Sequence, residues 1–124
     1  MAAPKAITFD CYGTIIDWDK GVQKQFQKIL DKYGITGISP VQLQVTWEGM
    51  QWVITHGEYK PYDEVIKTAM KWTLADFRIP ATQEDIDAFG ASMGYWEPFP
   101  DAIEAIKELK KYCKVAIITQ GTLD

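Results

Sequence analysis

The sequence predicts an α/β fold in which a parallel sheet carries the functional groups and a helical insert separates its strands. Two apolar segments, Lys5–Phe9 and Lys114–Thr119, lie near the two ends of the 124-residue chain and predict buried strands. The stretch between them follows helical spacing. The first strand ends at Asp10 and turns at Gly13. Because open α/β sheets place their functional groups at the carboxyl ends of strands, Asp10 is the first candidate for a reactive group.

The composition indicates a globular chain and argues against several classes of partner. Hydrophobic residues make up 47% of the chain and the formal net charge is −4, which permits a buried core. Arg78 is the only arginine and no Lys/Arg-rich block is present, so we expect no nucleic-acid partner. No apolar stretch approaches the roughly 18–20 residues of a membrane span, and no signal peptide is recognisable, so we expect a cytoplasmic protein without a membrane partner.

The cysteines and the histidine do not predict a metal site. Cys11 and Cys113 are expected to be free thiols, as is usual in the cytosol, with a disulfide as the alternative. His56, the only histidine, is expected to interact with the end of its own helix rather than with substrate. Because no Cys, His and acidic residues have zinc spacing, we predict no metal and no cofactor.

Start and stop signals predict five helices. Ser39 and Pro40 form a cap followed by a first-turn proline, and Thr82 with Asp85 resembles a capping box. Gly34 follows the end of the first helix, as a C-terminal glycine should. The predicted helices are Lys20–Lys32, one between Ser39-Pro40 and Gly57, Tyr62–Phe77, one capped by Thr82, and the amphipathic Asp101–Tyr112.

The order of the elements predicts two structural layers. A crossover between parallel strands needs only about a dozen residues, and the insert here is far longer. We therefore expect the insert, residues 17–96, to form its own helical layer, with residues 1–16 and 97–124 forming the sheet-containing core.

The run Ile7-Thr8-Phe9-Asp10-Cys11-Tyr12-Gly13-Thr14 resembles the first motif of the haloacid dehalogenase (HAD) superfamily. The whole chain resembles the N-terminal half of a type II (S)-2-haloacid dehalogenase. This resemblance implies a partial HAD-type Rossmann-like core in which Asp10 is the nucleophile, with the insert as a cap over the active site. Phosphatases of the superfamily carry a second Asp two residues later, which protonates the leaving oxygen. Tyr12 stands there in this chain, and a halide needs no proton, so carbon–halogen cleavage is favoured.

The resemblance implies a role for each residue of this first motif. Asp10 would attack the halogen-bearing carbon and form an ester, which water hydrolyses; a strand-end aspartate that caps a turn is the alternative. Thr14 would support the nucleophile, or form an ordinary ST-turn. The backbone amides of Cys11 and Tyr12 could bind a substrate carboxylate, and the Tyr12 ring could line an apolar pocket or pack in the core.

Further candidates lie outside the first motif. Thr119 ends the second strand and resembles the Ser or Thr of the second HAD motif, which binds the substrate anion. Gln120 follows it where dehalogenases usually have Asn. Trp47 and Tyr62 belong to the aromatic residues of the cap that could enclose a haloalkyl group, although core packing is the commoner role for each.

This chain departs from the dehalogenase pattern in two ways, and both affect the expectation that it cleaves a carbon–halogen bond. The stretch Pro40–Trp47 lacks the arginine that binds halide in these enzymes, so halide binding would need an N–H donor such as that of Trp47, or the substrate differs. The chain also ends directly after the second motif, before the superfamily lysine and later acidic motif. We therefore expect this chain to be inactive alone, with an exposed sheet edge and a possible homodimer.

The expected substrate is a short 2-haloacid. Three alternatives remain open at this point: hydrolysis of another small carboxylate by the same ester route, a magnesium-dependent HAD phosphatase, and a non-catalytic piece that retains the motif.

Overall fold

The computed structural model describes residues 2–121. Within that range every predicted helix and both predicted strands are present, with bounds shifted by a few residues, and a short 3-10 helix after the fourth α-helix was not predicted. The elements are β1 (Ala6–Phe9), α1 (Trp18–Lys32), α2 (Pro40–Thr55), α3 (Tyr62–Asp76), α4 (Gln83–Ser92), the 3-10 helix Met93–Tyr95, α5 (Ala102–Leu109) and β2 (Lys114–Ile117).

The chain divides into two compact units. The first contains residues 2–18 and 96–120, and therefore the two strands and α5. The second contains residues 19–95 together with Gly121, and therefore α2, α3, α4 and nearly all of α1. No helix within residues 2–121 is long and apolar enough to cross a membrane.

The sheet of the first unit is parallel, as predicted. Ala6 pairs with Lys114 and Phe9 pairs with Ile117, and the Ile118 amide donates to the Phe9 carbonyl at 2.8 Å. By this register Asp10 is level with Ile118. The carboxyl ends of the two strands therefore meet at one edge, which is where ligands bind in sheets of this type.

The prediction that the strands are buried is wrong for the described chain. No residue of β1 or β2 is fully buried, and Ile117 is 53% exposed. The apolar face of α5 is also incompletely covered, since Ile103 is 49% exposed. The physical reason is that the part of the sheet described here has two strands, which cannot enclose an apolar face between layers.

The second unit has a well-packed core of the kind that helical spacing predicts. At its centre the rings of Phe26, Trp47 and Phe89 contact one another with centroid separations of 5.3–6.4 Å. These residues come from α1, α2 and α4, so one aromatic cluster joins three helices. Other buried apolar residues of this unit are Val22, Ile29, Leu30, Leu43, Ile54, Val65, Ile66, Ala69, Met70, Leu74, Ile79 and Ile86.

Both predicted helix caps are present. Ser39 and Gln42 form a reciprocal capping box at the start of α2, and Thr82 and Asp85 form another at the start of α4. The Asp85 carboxylate is almost fully buried and also accepts hydrogen bonds from Lys32 Nζ and Tyr33 OH, each at 2.6 Å. Burial alone would raise the pKa of Asp85, but these donors hold it well below its usual range.

The strand register excludes a disulfide within this chain. Cys113 precedes β2 and is level with Lys5, whereas Cys11 lies beyond the other end of β1. Six strand positions separate these levels by about 20 Å, and a disulfide needs Cα atoms no more than about 7 Å apart. The two thiols are free, as predicted.

Candidate active site

The candidate site begins with a tight turn directly after β1. The Cys11 carbonyl accepts from the amides of Thr14, Ile15 and Ile16 at 3.2, 2.8 and 3.0 Å. Gly13 has φ +83°, a conformation that other residues adopt only with strain. The turn therefore depends on glycine at this position and brings Thr14 back towards Asp10.

The turn is also fastened to the segment that returns to the first unit. Ile16 forms an isolated antiparallel bridge with Pro98. The Phe99 amide donates to the Ile15 carbonyl, and the Asp17 amide donates to Glu97, both at 2.9 Å. These backbone hydrogen bonds between residues 15–17 and residues 97–99 hold the loop after β1 in one position relative to the sheet.

Asp10 lies exposed at the strand edge, one residue past β1. Its Oδ2 accepts a hydrogen bond from Thr14 Oγ1 at 3.2 Å. The second oxygen of the carboxylate accepts no hydrogen bond from the described side chains. An oriented and accessible carboxylate of this kind can act as a nucleophile, a general base or a ligand.

The amides next to Asp10 form a second element of the site. Within residues 2–121, neither the Cys11 nor the Tyr12 amide donates to a backbone carbonyl. Two neighbouring N–H groups at a strand end are suited to bind an anion, as backbone donors do in oxyanion-type sites. The site can therefore hold an anionic group beside the Asp10 carboxylate.

Tyr12 has a defined orientation that the sequence did not reveal. Its ring contacts the buried Trp96 ring edge-on, with centroids 6.0 Å apart and an interplanar angle of 82°. Burial, and to a lesser degree the neighbouring Cys11, raises the pKa of the Tyr12 phenol. The phenol therefore stays protonated and can donate a hydrogen bond. Nothing in the sequence pattern singled out Trp96, because its partner lies 84 positions earlier in the chain.

The Cys11 thiol is not a competing nucleophile. Burial and the neighbouring Asp10 carboxylate both raise its pKa. Since the thiolate is the reactive form of cysteine, this environment keeps Cys11 unreactive near neutral pH.

Thr119 and Gln120 lie at the same sheet edge. By the parallel register Thr119 is level with Cys11. Both side chains are exposed, and Thr119 Oγ1 makes a long contact of 3.4 Å to the Gln120 carbonyl. The structure thus brings Asp10, Cys11, Tyr12, Thr14, Thr119 and Gln120 together in the first unit.

Trp47 and Tyr62 belong to the second unit, and the structure corrects the expectation for Trp47. Trp47 is fully buried, and its Nε1–H donates to the Ile66 carbonyl at 3.1 Å. Its indole N–H is therefore used in the core and is not a halide donor. Tyr62 is partly exposed at the start of α3, where its hydroxyl donates to Gln51 Oε1 at 3.1 Å.

His56 makes the kind of contact that was predicted. Its Nδ1 lies 2.8 Å from the Trp52 carbonyl at the end of α2, and its ring lies against the Trp52 ring. Among residues 2–121, no three His, Cys, Asp or Glu side chains are grouped so that they could hold a metal ion.

A family model described as haloacid dehalogenase-like hydrolase matches residues 4–124. The chain therefore belongs to the haloacid dehalogenase-like hydrolases. Its partial Rossmann-like α/β fold agrees with that assignment. Comparison with curated proteins found no match.

Solved structures with a similar fold include several haloacid dehalogenases. The L-2-haloacid dehalogenase from Xanthobacter autotrophicus, also solved with chloropropionic acid covalently bound, is 22% identical, with a TM-score of 0.77 over 97% of this chain and 48% of that one. A defluorinating L-2-haloacid dehalogenase is 16% identical, with a TM-score of 0.84 over 95% of this chain and 51% of that one.

A third structure, a HAD-hydrolase from Bacillus subtilis bound to magnesium, is 17% identical, with a TM-score of 0.74 over 96% of this chain and 55% of that one. At these identities the similarity establishes the fold. The chain spans about half the length of each of these proteins.

Proposed function

We propose that the parent activity is hydrolytic dehalogenation of a short 2-haloacid, with Asp10 as the nucleophile. The observation that carries this proposal is the accessible Asp10 carboxylate, which Thr14 orients. Beside it lie the backbone N–H groups of Cys11 and Tyr12, which donate to no backbone carbonyl within residues 2–121. In a 2-haloacid the carboxylate is bonded directly to the carbon that bears the halogen, which is the carbon that reacts. Anion-binding amides directly beside a nucleophile match that spacing.

In the first step an Asp10 oxygen attacks the carbon that bears the halogen. A C–O bond forms, the carbon–halogen bond breaks, and the electron pair leaves with the halide. In the second step water adds to the aspartyl carbonyl and the ester C–O bond on the enzyme side breaks. Asp10 is regenerated and a 2-hydroxy acid and a proton are released. Only the first step touches the chiral carbon, so the configuration is inverted.

Residue roles follow from this chemistry. The Cys11 and Tyr12 amides hold the substrate carboxylate, and Thr14 keeps the Asp10 carboxylate oriented. Tyr12, fixed against Trp96, lines the apolar side of the site. Thr119 and Gln120 offer a hydroxyl and an amide at the same edge.

We further propose that residues 17–96 act as a cap over this site. In that arrangement Tyr62 is the candidate aromatic contact to substrate from the second unit. A cap would exclude water during the first step, which favours attack by a carboxylate.

Support for the dehalogenase assignment comes from Tyr12 and from a relative. The L-2-haloacid dehalogenase from Xanthobacter autotrophicus has been solved with chloropropionic acid covalently bound. Tyr12 cannot act as the second carboxylate of a phosphatase. The missing arginine in Pro40–Trp47, together with the core position of Trp47, keeps a different small carboxylate substrate as the second candidate.

The test is intact-mass measurement after mixing the protein with 2-chloropropionate, combined with a halide assay. We expect an adduct on Asp10 and halide release, both absent in Asp10→Asn, from a form that includes the remaining half found in its relatives, if the gene encodes one. For the 124-residue chain alone we expect no turnover. A halide-forming rate from that chain, abolished by Asp10→Asn, would contradict the expectation of inactivity.

The other assignments give different results in the same experiment. No adduct and no halide from the longer form would favour another carboxylate substrate. Magnesium-dependent phosphate release would favour a phosphatase. No detectable adduct, halide release or phosphate release, together with a stable oligomer, would favour a non-catalytic role.

A further inference from the structure

The loop after β1 is exposed, yet the chemistry proposed for Asp10 needs this loop to keep one conformation. Gly13 and Thr14 are both exposed, and the Thr14 hydroxyl reaches Asp10 because the chain turns at Gly13. An exposed turn with few neighbours opens easily. A residue that packs on this turn would therefore control the orientation of the Asp10 carboxylate.

Trp18 packs on the turn through its side chain. A Cβ atom placed on Gly13 would lie 3.4 Å from Cδ1 and 3.5 Å from Nε1 of Trp18. Apart from Gly13 and its two chain neighbours, no other atom of residues 2–121 lies within 4 Å of that position. The half-buried indole of Trp18 therefore covers the side of Gly13 on which other residues carry a side chain.

The backbone links Trp18 to the same turn. The Ile16 carbonyl accepts from the Gly13 amide at 2.8 Å and from the Trp18 amide at 2.9 Å. A parallel bridge between Tyr12 and Ile16 adjoins these bonds. Trp18 is therefore connected to Gly13 at two points, through its ring and through a shared carbonyl.

The residue before Gly13 is held by a second tryptophan. Trp96 contacts the Tyr12 ring edge-on, so two consecutive residues of the loop each have an indole against them. Trp18 and Trp96 stand where the chain leaves the first unit and where it re-enters it. The Asp17 amide donates to the Glu97 carbonyl at 2.9 Å, which joins the two segments that carry these indoles.

We propose that Trp18 is a positioning residue for Asp10, acting through the Gly13 turn and the Thr14 hydroxyl. The proposal rests on the nucleophilic function proposed for Asp10. Trp18 touches no reacting atom in this role. Its ring keeps the turn closed, and without the ring the turn opens more often and leaves the carboxylate free to rotate.

The first test is amide hydrogen exchange in the 124-residue chain, followed by NMR. Trp18→Ala removes the indole, and we expect the amides of Gly13, Ile15 and Ile16 to exchange at least about tenfold faster. The Ile118 amide, which is bonded to the end of β1, reports on the sheet and should exchange as in the wild type. Trp18→Phe keeps an aromatic ring over the turn and should restore slow exchange.

The second test is the rate of adduct formation with 2-chloropropionate, in a form of the protein that produces the adduct. Trp18→Ala should lower the maximal rate about ten- to a hundredfold, because misplacement of a reacting group has effects of this size. The half-saturating concentration of 2-chloropropionate should stay nearly unchanged, since Trp96 still holds Tyr12 beside the substrate carboxylate. Trp18→Phe should recover most of the rate.

Tyr112→Ala is the matched control. Tyr112 is an aromatic residue of the same unit and is 76% exposed. It precedes β2 and therefore lies at the opposite end of the parallel sheet from Asp10. Its removal should change neither the exchange of the loop amides nor the rate of adduct formation.

The two tests separate this proposal from the function on which it rests. Faster exchange confined to the loop supports the role of Trp18 even where the wild type forms no adduct, and only the dehalogenase assignment then fails. Unchanged loop exchange in Trp18→Ala would overturn the proposal. So would equal acceleration at Ile118, which would show that the ring only stabilises the unit as a whole, or an adduct rate equal to that of the wild type.

Discussion

The Oγ1 atom of Thr14 lies 3.2 Å from Oδ2 of Asp10, four residues earlier in the chain. The left-handed turn at Gly13 produces this contact, because it reverses the chain and returns the threonine to the strand end. The hydroxyl restricts the rotation of an otherwise exposed carboxylate. Orientation of this kind is one way in which a weak nucleophile becomes effective.

The first prediction concerns this hydrogen bond. Thr14→Val removes the hydroxyl and keeps the shape, and we expect it to slow ester formation on Asp10 roughly ten- to a hundredfold, since hydrogen bonds to charged groups contribute about 1.5–3 kcal/mol. Thr14→Ser should retain most of the rate. The measurement is the time course of the 2-chloropropionate adduct by intact mass, in a form that produces it. Equal rates for the valine and serine variants would show that the contact is only structural.

The second prediction concerns the turn itself. Gly13→Ala forces a side chain into a positive-φ conformation and should destabilise the loop by about 1–2 kcal/mol. The Ile15 and Ile16 amides, which donate to Cys11, should then exchange with deuterium faster than in the wild type. Gly94→Ala is the matched control, because Gly94 has neither a positive φ nor a nearby atom. Unchanged exchange in Gly13→Ala would mean that the loop does not need this conformation.

The third prediction separates a core role of Trp47 from a binding role. Trp47→Phe leaves the buried Ile66 carbonyl without its indole donor, so we expect a loss of about 1–3 kcal/mol of unfolding free energy. Trp52→Phe alters a residue that is 68% exposed and should change stability by less than about 0.5 kcal/mol. Urea denaturation measures both. A halide-binding defect in Trp47→Phe without loss of stability would restore the binding role.

The fourth prediction is a pH dependence of the second unit. The pKa of Asp85 is lower in the folded state than in the unfolded state. The ionised carboxylate therefore contributes to the unfolding free energy in full above the unfolded-state pKa of about 3.9. This contribution is lost as the pH falls towards the folded-state pKa. We expect unfolding free energy to fall below about pH 4 in the wild type. Asp85→Asn should lower stability by about 2 kcal/mol at neutral pH and reduce this acid dependence.

The control for Asp85 is Asp87→Asn, because Asp87 is more than half exposed and lies 3.9 Å from Lys67. Exposed ion pairs of this kind contribute little to stability. The unfolding free energy of Asp87→Asn should therefore depend on acid pH in the same way as that of the wild type. The same loss of stability in both variants would show that Asp85 has no special role.

Much of this fold could be predicted from local sequence signals. The capping boxes at Ser39 and Thr82 and the helical spacing of Phe26 and Trp47 are short-range patterns, so they are readable without a structure. The run from Ile7 to Thr14 likewise predicts a strand followed by a sharp turn. The failure of the burial prediction for β1 and β2 has a clear cause, because burial depends on what covers a strand and not on the strand's own residues.

The sequence by itself determined the order of the elements, the turn after Asp10 and the family to which the chain belongs, because each rests on neighbouring residues. Only the tertiary structure decided that the Trp47 N–H is donated to Ile66 and that Tyr12 is held by Trp96. It also decided that Asp85 joins α4 to Lys32 and Tyr33. These pairs are 19, 84 and more than 50 positions apart in the chain, and contacts at such separations arise from packing, which no local pattern encodes.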